Sequence, residues 1–135
     1  MKYLKFFPLT LFCVALIWFL CFMNPPHTDL DSVPEMDKLV HFIMYAGTVS
    51  MFWLEYELKF NRKHLFSEQK LVLFSLVIPI VMGGVIELGQ AYLTGGHRSG
   101  DWFDLLADTL GVVAGTLLGR RLVQWLVGKW RKRKN

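Results

Sequence analysis

Four apolar runs, each close to the ~20 residues that cross a hydrocarbon core of about 30 Å, occupy most of this chain and leave only short loops between them. They cover roughly residues 4–23, 39–58, 70–92 and 102–127. With 53% hydrophobic residues in a chain of 135, the expectation is an all-α polytopic membrane protein. It is a bundle of four transmembrane helices forming a single domain, 1–135. The first run has Lys2 and Lys5 before it, as a signal peptide would. Bulky Trp18, Phe19, Leu20 and Phe22 stand where small residues should mark cleavage, so it reads as an uncleaved anchor. Cys13 and Cys21, about 12 Å apart along one helix, are too distant for a disulfide and carry no redox information.

Loop charge sets the expected orientation, because Lys and Arg in short loops stay on the cytoplasmic side. Of the 15 Lys and Arg residues, all but Lys38 and Arg98 fall at the start of the chain, at or between the end of the second run and the start of the third, or toward the end of the fourth run and beyond it. The other two loops carry Asp29, Asp31, Glu35, Asp37, Asp101 and Asp104. Both termini are therefore expected in the cytoplasm and the acidic loops outside. The net charge of +4 follows this topology and gives no footprint for nucleic acid. The basic tail 129–134 suits orientation and anionic lipid heads.

Local punctuation agrees with these boundaries. Pro25-Pro26 ends the first span, Ser32-Val33-Pro34-Glu35 has capping-box spacing, and Gly95-Gly96 interrupts the chain after the third span. Ser99 is the expected cap of the fourth helix, with Asp101 in its first turn, and Pro79 is an expected kink in the third. Trp102 is expected at one interface and Trp125 and Trp130 at the other.

Against this background, the ionisable and amide side chains inside the spans demand a reason, because a membrane makes them costly. At 1.5 Å per residue, His41 lies about 6 Å below the start of its span, Glu87 about 7–8 Å below the end of its own, and Asp108 about 9 Å below the start of the fourth. Three helices thus offer polar groups at one depth. Helical spacing also gathers Asp37, His41, Tyr45 and Thr48 on one face, Gly83, Glu87 and Gln90 on a second, and Asp101, Asp104 and Asp108 on a third. That third face continues as Gly111, Gly115 and Gly119, a doubled small-xxx-small pattern on which another backbone can pack, in this chain or in a second copy.

Several chemistries compete for the cluster. His41 and Glu87 are the candidate catalytic pair, able in principle to pass a proton; whether any reaction is catalysed stays open. Asp37, Lys38, Tyr45, Gln90, Arg98, Asp101, Asp104 and Asp108 are candidate binding residues, with Arg98 suited to a phosphate or carboxylate. The alternative is a network in which Glu87 and Asp108 accept from His41, Tyr45 and Gln90 only to join helices, in a structural or scaffold protein. Such bonds average about 0.6 kcal/mol, a weak return for buried carboxylates. His41, Glu87 and Asp108, with His97, are metal-ligand types without a spacing signature, so no metal and no cofactor is expected. Ser99 lacks an evident base, and His27 and His64 read as loop residues. Four spans without inverted halves make a transporter the weakest reading.

Taken in order, Asp37-Lys38 with His41-Phe42 and Tyr45, then Glu87 with Gln90, then Arg98 with Asp101, Asp104, Gly111 and Gly115, resemble the VanZ-like family of small bacterial integral membrane proteins. The resemblance runs from about Asp37 to Gly119. Asp108 departs from it, standing where such proteins usually carry asparagine, which favours a hydrogen-bonding role there over one that requires charge. The resemblance implies the bacterial cytoplasmic (inner) membrane, and one member of the family is linked to low-level teicoplanin resistance. The combined expectation is an outward-facing polar site that binds or modifies an envelope lipid or a lipid-linked cell-wall component. Its partners would be membrane lipids.

Overall fold

The computed structural model describes residues 7–23, 35–60, 67–93 and 101–134, all but a few of them helical and none in a strand. Helix α1 is Pro8–Phe22, α2 is Met36–Phe60 and α3 is Glu68–Leu93. The fourth helix runs from α4, Trp102–Ala114, through a π turn at Gly115–Gly119 into α5, Arg120–Lys134. The four expected spans are therefore present as four helices, and the second, third and fourth each extend beyond the apolar run that announced them. Two of them, α3 and the continuous helix Trp102–Lys134, are long and apolar enough to cross a membrane. By contrast α1 is apolar but has 15 residues, and α2 has 25 but carries Asp37, His41, Glu55 and Glu57. Pro25-Pro26, the Ser32–Glu35 box apart from Glu35 itself, Gly95-Gly96, His27, His64, His97, Arg98 and Ser99 lie outside the described residues.

The bundle is assembled around α2. Its inward side buries Tyr45, Val49, Trp53 and Tyr56 together with Ile17 of α1, Ile86 of α3 and Val112 of α4. The outside is as apolar as the inside: Val77, Ile78, Val81 and Val85 of α3 and Leu106, Leu110, Leu117 and Leu118 of the fourth helix are all exposed. A belt of large apolar residues of this extent is what a lipid-facing surface requires. Trp102, Trp125 and Trp130, near the two ends of the fourth helix, are exposed as well.

The glycine seam is filled from within the chain. A methyl at Gly111 would collide with the Phe42 carbonyl, one at Gly115 would stand 2.7 Å from Ala46 O, and one at Gly119 would collide with the Ser50 hydroxyl. Backbone contact between α2 and the fourth helix thus depends on three missing side chains. The π turn helps keep them aligned. Four residues of α-helix overshoot a full turn by about 40°, and a wider π turn takes up that drift, so Gly119 still faces α2. Pro79 sits within a helix that continues on both sides of it. It borders an apolar cavity of about 140 Å³ between α1, α2 and α3, together with Val14, Val49, Phe74 and Ile78.

Candidate functional site

At the end of the bundle where α2 and α4 begin and α3 finishes, the three polar faces meet. Counted along the helices, His41 is five residues inside α2, Glu87 six from the end of α3 and Asp108 six inside α4, about 7–9 Å deep in each case. His41 is 2% exposed, Glu87 5% and Asp108 0%. The His41 Nδ1–H donates to Asp108 Oδ1 at 2.9 Å, linking α2 to α4. The Asp101 backbone N–H donates to Glu87 Oε2 at 2.8 Å, linking the start of α4 to α3. One ligand atom from each of His41, Glu87 and Asp108 lies within 4.8 Å of the other two.

Small residues make this approach possible. Gly83, one turn before Glu87, has no side chain where Asp108 Oδ2 and the Tyr45 hydroxyl converge; a methyl there would stand 2.9 Å from the former and 3.3 Å from the latter. Tyr45 and Asp108 face each other across that gap. The result is a buried site with more acceptors than donors. Glu87 Oε1, Asp108 Oδ2 and the Tyr45 hydroxyl have no hydrogen-bond partner.

Around this centre the remaining expected residues take different places. Asp37 and Asp104 form a second group with His41, again within 4.8 Å, of which Asp37 is exposed and Asp104 buried. Lys38 turns to the rim, where its ammonium meets Glu35 at 2.7 Å and lies 5.9 Å from the centre of the Phe103 ring. Hydrogen bonding to Glu35 raises the Lys38 pKa above its ordinary value. Gln90, one turn beyond Glu87, donates from Nε2 to Cys21 O at 2.8 Å and so satisfies a carbonyl in the last turn of α1.

The cap of α4 is Asp101, not Ser99. Asp101 Oδ1 accepts from Phe103 N at 2.8 Å, and the helix begins at Trp102. Aspartate is as good a cap as serine, and here the same residue presents its own N–H to Glu87, which fixes the helix start two residues later than the Ser99 expectation. Two further buried acids, Glu55 and Glu57, lie in the long apolar stretch of the second span. At the opposite end of the bundle, Glu55 accepts from Leu9 N at 3.1 Å and, through its other oxygen, from Thr10 N at 2.9 Å and the Thr10 hydroxyl at 2.7 Å. Glu57 Oε1 accepts from Gln124 at 3.1 Å. The signal that marks them is the same one that marks His41: an ionisable residue in a span.

A family model described as VanZ/LLP1 matches residues 6–124. The chain belongs to the VanZ/LLP1 family. That match covers α1 to α4 and the start of α5, and it includes every residue of the buried site. No curated protein and no solved structure matches the chain.

Proposed function

We propose that this VanZ-like protein is a multi-pass protein of the bacterial cytoplasmic (inner) membrane, with both termini in the cytoplasm. Its buried polar site opens outward and binds the head group of an envelope lipid or a lipid-linked cell-wall component. The observation that carries the reading is the pair of unpartnered carboxylate oxygens, Glu87 Oε1 and Asp108 Oδ2, in residues 5% and 0% exposed. A buried acceptor left without a partner costs about 1–3 kcal/mol, which a ligand bringing hydroxyl or ammonium donors would recover. Arg98, which precedes α4 in the sequence, is assigned to an anionic part of the same head group. His41, oriented by Asp108, and Glu87 supply the acid–base groups if the bound head group is also modified.

The second reading is a scaffold whose polar residues join helices. It is favoured by the bonds His41–Asp108 and Asp101–Glu87, each of which ties two helices together. Purification of wild type and Glu87→Gln in native lipid, with mass spectrometry of the retained lipids, separates the two. A particular lipid held by wild type and absent from the variant is the expected result. Equal lipid content with a large loss of thermal stability would establish the scaffold instead. Labelling of an introduced cysteine beside Arg98 from outside tests orientation. Teicoplanin susceptibility of cells with and without the chain is the matching cellular readout, expected to change only with Glu87 intact.

A further inference from the structure

We propose that His41, Glu87 and Asp108 together hold one divalent transition-metal ion of the manganese or zinc class. One imidazole nitrogen and two carboxylates, contributed by three different helices, are a mixed nitrogen and oxygen donor set that suits such ions better than magnesium or calcium, which favour oxygen alone. The ligand atoms already lie within 4.8 Å of one another. Bonds of about 2.1 Å allow ligand atoms up to about 4.2 Å apart, so closure asks for side-chain shifts of a few tenths of an ångström. The His41 Nδ1 to Asp108 Oδ1 separation of 2.9 Å matches the ~3 Å between two ligands at right angles around one ion. An ion there takes the place of the shared proton.

A second observation points independently to a cation. Glu87 Oε1 and Asp108 Oδ2 are buried and unpartnered, and Asp104, also buried, adds a third carboxylate beside them. Among the described residues no Lys or Arg forms an ion pair with Glu87 or Asp108; Lys38 pairs with Glu35 and Arg120 with Glu68. Buried carboxylates at this density call for more positive charge than His41, bonded to Asp108 Oδ1, can supply, and a divalent ion held among the three residues provides it. Asp37 and Asp104, which share His41, line the approach and concentrate cations at the mouth.

The ion also makes an acid-lined site able to receive a phosphate. On that point alone the inference rests on the lipid reading; metal binding itself needs no lipid. The full chain, purified in detergent, stripped with a chelator and dialysed against Zn²⁺ or Mn²⁺, is expected to retain about one ion per chain by elemental analysis. Glu87→Gln and Asp108→Asn, near-isosteric changes, are each expected to weaken binding about tenfold or more, while Glu68→Gln at the far end leaves it unchanged. Circular dichroism and elution volume check that each variant is folded. Bound Co²⁺ gives a visible spectrum that changes in His41→Gln, identifying the nitrogen ligand. Failure of wild type to retain either ion overturns the proposal. So does retention that is equal in all variants, which marks adventitious binding, and so does metal uptake that appears only in Arg98→Gln, which identifies Arg98 as the countercharge. Because this assay is run without native lipid, its failure leaves the lipid measurement standing, and the reverse holds equally.

Discussion

The two ends of the bundle bury carboxylates in opposite ways. Near the start of α1, both oxygens of Glu55 are engaged: Oε1 by Leu9 N and the Lys59 ammonium, Oε2 by Thr10 N and its hydroxyl. Glu55 is thus a helix cap supplied from a neighbouring helix, satisfying N–H groups in the first turn of α1 and placing negative charge where the helix dipole favours it. At the other end, Glu87 and Asp108 each have one oxygen engaged and one without a partner. The orphan groups at the Glu55 end are donors, Trp53 Nε1 and Arg120 Nε, the latter part of a guanidinium whose Cζ lies 4.8 Å from the centre of the Trp53 ring. A saturated carboxylate marks a joint. An unsaturated one in an equally dry place is the feature on which the proposed ligand site rests.

If that contrast is correct, the largest loss of stability comes from the saturated end. Glu55→Ala leaves two first-turn N–H groups of α1 and the Thr10 hydroxyl without their acceptor, and is expected to cost about 2–3 kcal/mol. Thermal unfolding in detergent measures it. Glu55→Gln, which keeps one acceptor oxygen, should recover about half. A Glu55→Ala protein as stable as wild type would remove the distinction between the two ends.

Next in size is Gly83→Ala. The new methyl would stand 2.9 Å from Asp108 Oδ2 and 3.3 Å from both the Tyr45 hydroxyl and Leu105 Cδ1, crowding the centre of the site. Overpacking of this kind costs about 1–3 kcal/mol, and alanine returns about 1 kcal/mol of helix propensity, so a net loss of about 1 kcal/mol is expected. Ligand retention should fall further than stability does, because the displaced group is the unpartnered oxygen. A variant that loses stability but keeps its lipid and metal would show that the gap at Gly83 serves packing alone.

Much of this arrangement was legible in the residues. Periodicity placed His41, Glu87 and Asp108 on inward faces, and distance along each helix placed them at one depth, because a helix has a fixed rise and a membrane a fixed thickness. The Gly111, Gly115 and Gly119 seam was legible for the same reason, although not that α2 of the same chain fills it; spacing alone does not name the partner. The cap at Asp101 was missed because serine and aspartate compete on nearly equal terms, and only the bond to Glu87 decides between them. Glu55 carries the signal of an ionisable residue in a span, but its role as acceptor for Thr10 joins residues 45 positions apart, and no local pattern encodes that pairing. The π turn was hidden for a different reason: it accommodates the packing of the seam against α2, and Gly-Thr-Leu-Leu-Gly alone does not announce it.

Smaller again is the stability effect expected of Glu87→Gln. Glutamine keeps a carbonyl oxygen to accept the Asp101 N–H, and its amide can donate toward the unpartnered Asp108 oxygen, so thermal stability should change by less than about 1 kcal/mol. Lipid retention should nevertheless be lost and metal binding weakened about tenfold or more, since the carboxylate it removes is the one with an oxygen left without a protein partner. This is the reverse of the pattern expected for Glu55, where stability falls and ligand retention in the surviving folded protein does not. A double comparison of the two variants in one detergent therefore tests the contrast more sharply than either alone.

The smallest effect belongs to Lys38 at the rim. Its side chain is half-buried at the rim and bound to Glu35, so Lys38→Gln should leave thermal stability unchanged while slightly weakening capture of an anionic head group, in a manner that added salt abolishes. The hydrogen bond to Glu35 raises its folded-state pKa, so whatever the charge contributes is fully present below the unfolded lysine value and is lost only as pH rises through the higher folded one. Between about pH 6 and 9 the difference between wild type and Lys38→Gln should consequently stay constant, since an ordinary lysine titrates near 10.4. Ligand binding at the deep site should not stay constant over that range if a metal ion holds it, because protons compete with the ion for His41 and the carboxylates and retention falls as pH falls. A pH dependence that disappears in Glu87→Gln but survives in Lys38→Gln would assign it to the buried site, and the opposite result would move the chemistry out to the rim.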